Sequence, residues 1–295
     1  MRIAVTGAQG QIVSALRERA SEKAEIVALG RPQLDLSDRE SVRAALREAR
    51  CDVIVNAAAY TAVDKAEQEE TLAMRVNGEG AGHVAETAAE LGVPLLHFST
   101  DYVFDGSAPR PYREDDATAP IGAYGRSKLE GERRVTALCP NAAILRTAWV
   151  YSPFGANFAR TMLRLGETRE EVGVVADQLG NPTSALDIAD ATLDIASRLL
   201  QDDAPELRGL FHMTGAGEAS WADVAEAIFA RAAERGRAPV RVRRIATADY
   251  PTPARRPANS RLDNARLAHA YGVALPDWRA SLANCVDRLL AGPAH

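Results

Sequence analysis

Five short apolar runs, at residues 2–6, 25–29, 52–56, 95–99 and 143–147, alternate with four helix-length amphipathic stretches at 12–20, 39–49, 74–91 and 127–137. That alternation constrains the chain more than any other feature. Neighbouring strands joined by crossovers of a dozen or more residues pair in parallel, and helices in the crossovers cover both faces of the sheet. Strands buried on both faces need little polar alternation, and these runs show little. The expected fold class is therefore α/β, a Rossmann-type doubly wound parallel sheet. Local signals mark some helix ends. Ser37, with Glu40 three residues on, reads as a capping box before the second helix, and Gly92-Val93-Pro94 stops the third. Aromatic residues are only 5% of the chain, which argues against an aromatic-rich β sandwich.

Beyond Tyr151 the rhythm loosens. Helices are expected at 157–166, 185–200, 220–233 and 278–290, with Ser184 and Ser220 placed as N-caps. The stretch 241–261 carries six arginines interrupted by prolines and reads as an extended basic segment lying over a surface or a ligand. Forty acidic residues against 35 basic ones give a net charge of -5, which excludes a broadly basic nucleic-acid binder. No apolar run approaches the ~20 residues that span a bilayer, and the N-terminus enters the first strand without a leader-type segment, so a cytoplasmic protein with no membrane partner is expected. Cys51, Cys139 and Cys285 are too scattered for a disulfide framework. His83, His97, His212, His269 and His295 form no cluster with ligand spacing, so no metal site is expected.

The first strand runs directly into Gly7-Ala8-Gln9-Gly10-Gln11-Ile12-Val13. Glycines there permit a tight turn that brings backbone N–H groups and a helix N-terminus against a pyrophosphate. This makes Gly7, Gly10, Gln11 and Ile12 candidate dinucleotide contacts, with Val13 standing where a third glycine would allow closest helix packing. At the end of the second strand the chain offers Arg31, which suits a 2′-phosphate and favours NADPH over NADH. Asp35 and Leu36 lie where an adenine edge is expected, and the small residues Ala57, Ala58 and Ala59 let the chain pass close to a cofactor.

Tyr124 and Lys128 are four residues apart, on one face of a helix. A phenol is a weak acid–base group at neutral pH, and a neighbouring ammonium is expected to bring its pKa down toward the working range. Lys128 can also hold a nicotinamide ribose. Thr100 ends a strand at the carboxyl edge of the sheet, where ligands of such sheets collect, and its hydroxyl can polarise a carbonyl.

An N-terminal Gly-rich turn, a strand-end Ser99-Thr100 and a Tyr-x-x-x-Lys helix together resemble the extended short-chain dehydrogenase/reductase family. Within it the chain is similar to the dTDP-4-dehydrorhamnose reductase subfamily along essentially its whole length. The similarity runs through 55–67, 99–104, 146–151, Asp177-Gln178-Leu179-Gly180-Asn181-Pro182-Thr183 and Tyr250-Pro251-Thr252-Pro253-Ala254-Arg255-Arg256-Pro257. The resemblance implies a catalytic set of Tyr124 as proton donor, Lys128 as its partner and Thr100 as carbonyl-polarising hydroxyl. It implies Thr100, Asp101, Trp149, Arg255 and Arg256 as substrate contacts, the indole packing on a sugar face and the arginines on a diphosphate.

It also implies a Rossmann domain at 1–150, joined by some later segments, and a smaller, mainly substrate-binding α/β lobe at 151–295. The implied partner is a nucleotide sugar and the implied cofactor NADPH or NADH. A monomer or homodimer is expected. The magnesium-linked dimer of some relatives is not, because Ser14-Ala15-Leu16-Arg17 offers no acid in the first helical turn. Another nucleotide-sugar reductase, epimerase or dehydratase of the same family and a non-catalytic regulatory subunit of the methionine adenosyltransferase type are the competing readings.

Overall fold

The computed structural model describes residues 1–292, so His295 lies outside the described residues. Six parallel strands form the central sheet: β1 Arg2–Thr6, β2 Glu25–Leu29, β3 Val53–Asn56, β4 Leu95–Thr100, β5 Ala142–Thr147 and β6 Gly209–His212. Their spatial order is β6-β5-β4-β3-β1-β2. Strand progression reverses at β1, so a switch-point crevice opens between the carboxyl ends of β1 and β3. The doubly wound parallel sheet expected from the sequence is present. β6, which the sequence reading did not mark, comes from the second half of the chain and pairs with β5.

Helices α1 Gln11–Glu18, α2 Arg39–Ala49, α3 Gly80–Leu91, α4 Ala123–Leu138, α5 Phe158–Gly166, α6 Ala185–Gln201, α7 Trp221–Glu234 and α8 Trp278–Ala291 complete the main elements. One face of the sheet packs Ile3, Val5, Val55 and Leu145 against α1 and α6 through Val13, Leu16, Ile188 and Ile195. The other packs Ala4, Ile54 and Ile144 against α2 and α3 through Val42, Leu46, Val84 and Ala88. A third cluster joins α5, α7 and α8 around Met162, Ile228 and Trp278. Truncating a fully buried leucine such as Leu16 to alanine costs about 2–5 kcal/mol.

One expectation is corrected and two are refined. Asp38, not Ser37, caps α2: its carboxylate accepts the N–H groups of Glu40 and Ser41, while the Ser37 hydroxyl is turned back to Asp35 at 2.7 Å. The stretch 74–91 opens as a π-helical turn, Met74–Glu79, before α3 begins. The basic segment begins as a strand, Arg241–Ile245, paired in parallel with Glu171–Val175. Its arginines mostly meet acids: Arg243 on Glu171, Arg244 on Asp223 and Glu226, Arg256 on Asp64 and Arg261 on Glu218. Ser184 and Ser220 cap α6 and α7 as expected. Among the described residues no helix is long and apolar enough to cross a membrane, and no group of three or more His, Cys, Asp or Glu side chains could hold a metal ion.

Candidate active site

Gly7 adopts φ +103, and its N–H donates to the Leu29 carbonyl at 2.6 Å. That conformation favours glycine. The missing β-carbon also makes room for Val13, whose Cγ2 would lie 3.2 Å from it. Val13 is therefore fully buried, and α1 packs on the sheet without a third glycine. Gly10 is the N-cap of α1 with no side-chain cap, and no acid stands in the first turn. The first-turn N–H groups keep their donor capacity and the positive end of the helix dipole, which is the chemistry of an anion site. Beside it the Thr6 hydroxyl donates to Asn56 at 2.7 Å and accepts the N–H groups of Ala57 and Ala58, fixing the loop after β3.

A cavity of about 540 Å³ opens at these strand ends, lined by Gly10, Gln11, Ile12, Ala57, Ala59, Thr100, Asp101, Tyr124, Lys128 and Trp149 among others. These ten sequence candidates come together from five separate segments. Gly7 and Ala58 lie just behind the turn, where an added Gly7 β-carbon would touch Ala58. Arg31, Asp35 and Leu36 do not line the cavity. Arg31 is exposed 4.0 Å from Asp35, Asp35 accepts from the Ser37 N–H and hydroxyl, and Leu36 turns its side chain into the core. Arg255 and Arg256 line an adjacent hollow of about 620 Å³ with Tyr250, Asp177 and Thr247. Arg256 is bidentate to Asp64 at 2.9 Å.

Tyr124 sits in the first turn of α4, and the glycine after it has a steric reason. A β-carbon on Gly125 would collide with the Tyr102 carbonyl, so glycine lets α4 press onto the Asp101–Val103 turn. The Tyr124 and Tyr102 rings meet edge to face at 5.6 Å. The expected lowering of the Tyr124 pKa is corrected by the structure. Burial, with Asp101 nearby, pushes the phenol up to about 12. Lys128 donates instead to the Phe98 carbonyl at 2.6 Å. Its own pKa is pushed down to about 8 by burial, partly offset by Glu132.

The sequence reading missed what stands behind Lys128. Glu132 is one further turn along α4, buried, and takes Arg146 Nε and Nη2 at 2.8 and 2.7 Å together with the Ser99 hydroxyl. Thr100 caps the turn after β4, accepting the Tyr102 N–H, and its hydroxyl donates to Asp101 at 3.0 Å. Burial raises the Asp101 carboxyl to about 6 against the pull of Ser260 and Thr100. Trp149 adopts φ +50 and stacks on Trp221 at 3.7 Å and 7°, and Trp221 carries no local signal beyond its place at a helix start.

A doubly wound parallel sheet, with an uncapped glycine turn after β1 and a Tyr-Lys helix beside it, defines a Rossmann-type nucleotide-binding protein. The sequence profile described as the RmlD substrate binding domain matches residues 1–291, and the chain belongs to that family. A dTDP-4-dehydrorhamnose reductase of Sinorhizobium fredii is 53% identical over 290 residues, covering 98% of each chain. The crystal structure of a dTDP-4-dehydrorhamnose reductase from Clostridium acetobutylicum superposes with a TM-score of 0.91 at 37% identity, covering 98% of this chain and 100% of that one. That of the Bacillus anthracis dTDP-4-dehydrorhamnose reductase in complex with NADP gives 0.89 at 35% identity, covering 96% and 98%.

Proposed function

We infer that the chain is an NAD(P)H-dependent reductase that converts the C4 ketone of dTDP-4-dehydro-β-L-rhamnose to the alcohol of dTDP-β-L-rhamnose, the last step of dTDP-L-rhamnose biosynthesis. The observation that carries this is a Tyr–Lys pair and a strand-end hydroxyl lining one cavity with the uncapped N-terminus of α1. The residues fit a dinucleotide: Gly7 shapes the turn, and Gly10, Gln11 and Ile12 present first-turn amides to a pyrophosphate, with Ala57 and Ala59 lining the same cavity. Lys128, which lines the same cavity, is assigned to the ribose. Arg31, exposed just beyond the end of β2, favours NADPH over NADH. The nicotinamide supplies the hydride.

The chain supplies the proton and a place for negative charge. Tyr124, with its pKa at about 12, keeps its phenolic hydrogen at neutral pH and can give it to an oxygen that becomes an alkoxide. For reduction, a phenol that stays protonated until charge develops is the useful form. Thr100 lines the cavity with Tyr124 and is assigned to the carbonyl oxygen. Asp101 and Trp149 are assigned to the sugar. The diphosphate contact goes first to Arg255, which makes no ion pair among the described residues, whereas Arg256 is committed to Asp64. Residues 1–150, together with β6 and α6, would form the nucleotide half, and the rest of 151–295 mainly the substrate lobe.

Absorbance at the reduced-nicotinamide band tests the reading. Stoichiometric loss of NADPH on adding dTDP-4-dehydro-β-L-rhamnose is expected. Turnover of the sugar without net oxidation of the cofactor would make the protein an epimerase instead.

A further inference from the structure

We propose that Trp221 is a positioning residue that clamps Trp149, so that the bound nucleotide sugar meets the edge and indole N–H of Trp149 and not its ring face. The inference rests on the reductase reading and deepens it. Both faces of Trp149 are occupied. Trp221 lies parallel to one at 3.7 Å and 7°. Gly180 covers the other so closely that a β-carbon there would overlap Cε2, Cζ2 and Nε1 together, as only an approach over the ring plane allows. Phe158 backs Trp221 at 4.7 Å, tilted by 51°. The result is a stack of four layers: glycine, indole, indole, phenyl.

The stack is anchored at each end of its backbone. Trp221 is the first residue of α7, behind the capping box of Ser220 and Asp223, and Arg244 holds Asp223 in turn at 2.8 Å. Trp149 sits at φ +50, a conformation non-glycine residues seldom keep unless neighbours hold them, and its carbonyl accepts the Thr183 N–H at 3.2 Å. Trp149 still lines the cavity with Tyr124 and Thr100. With both faces covered, what it shows the cavity is its ring edge. The polar atom of an indole edge is a hydrogen-bond donor with no acceptor capacity, which suits a sugar hydroxyl or phosphate oxygen. A sugar packed on the ring face, the expectation from the sequence, would need Trp221 displaced.

Two stacked indoles give an exciton couplet in far-ultraviolet circular dichroism, and this reads the clamp directly. The couplet is expected in the ligand-free wild type, is expected to persist when saturating dTDP-β-L-rhamnose is added, and should vanish in Trp221→Ala. Trp149→Phe keeps an aromatic ring and loses the N–H. It should raise KM for the keto-sugar roughly tenfold, the scale of one lost hydrogen bond, with kcat within about twofold. Trp221→Ala should raise KM similarly, and Trp221→Phe should recover most of the loss by restoring the stack. A couplet that collapses on product binding, or a Trp149→Phe KM equal to wild type, overturns the proposal. Absent wild-type turnover would remove the reductase reading, yet the ligand-free couplet would still decide whether the clamp exists.

Discussion

Replacing Glu132 by glutamine tests how the Tyr124–Lys128 helix is held. The side chains of Glu132 and Arg146 are 6% and 3% exposed, and their two hydrogen bonds of 2.7 and 2.8 Å form a fork that solvent scarcely screens. Removing one charge of a buried pair typically costs about 3–5 kcal/mol, because the other is left uncompensated. The glutamine oxygen can still accept one guanidinium N–H, so the lower end, about 3 kcal/mol, is expected. An unfolding entropy of ~2.1 cal/mol/K per residue over 295 residues is about 0.6 kcal/mol/K, so Tm should fall by about 5 °C. Calorimetry of Glu132→Gln, Arg146→Met and the double variant gives the answer, with the double variant more stable than either single one. A fall below about 1 °C, or a double variant as unstable as the sum of the singles, would refute the reasoning. The same substitution removes the negative charge that holds the Lys128 pKa up, so the lysine should titrate below about 8.

Tyr124→Phe should lower kcat by about 10²–10⁴-fold while leaving the Kd for NADPH nearly unchanged, measured by nicotinamide absorbance and by cofactor titration; wild-type turnover would remove Tyr124 from the chemistry. Lys128 carries a pH signature in stability. Its folded pKa of about 8 lies below the ordinary 10.5, so between those values the unfolded chain binds more protons than the folded one. Stability owed to this group therefore rises with pH across that window, the burden being full below 8 and relieved above 10.5. The Tm of Lys128→Met relative to wild type should be highest near pH 7 and decline from about pH 8 to 10.5; a difference independent of pH would contradict the buried ammonium.

The elements that the sequence revealed are those in which one local rule acts alone. β1 is an apolar run closed by a glycine turn, and α2 is an amphipathic stretch that appears at the expected residues, 39–49. β6 escaped notice because it offers only Leu210 and Phe211 as an apolar signal after a glycine and is a strand by virtue of pairing with β5. Ser37 and Asp38 are both good capping residues, and the choice fell to the chain's path, since Asp35 takes the serine. The cavity's membership was legible because its residues lie at strand ends, in the turn that opens α1 or at helical spacing on α4, whereas the direction of the Tyr124 pKa depends on burial, which adjacency along a helix does not report. Glu132 and Arg146 meet from α4 and β5, fourteen residues apart, a pairing that neither local pattern reports. Trp221 became informative only once Trp149 and Gly180 were seen on either side of the same ring plane.

The origin of β6 has a consequence for biosynthesis. A ribosome delivers Thr147 about sixty residues before Gly209, and in that interval the nascent chain carries β5 with one row of backbone donors and acceptors unpaired. An open, apolar margin of this kind is a template for pairing with other chains. Truncation anywhere between the two strands should make the hazard permanent and yield an insoluble fragment, even though every cofactor-facing glycine would still be in it.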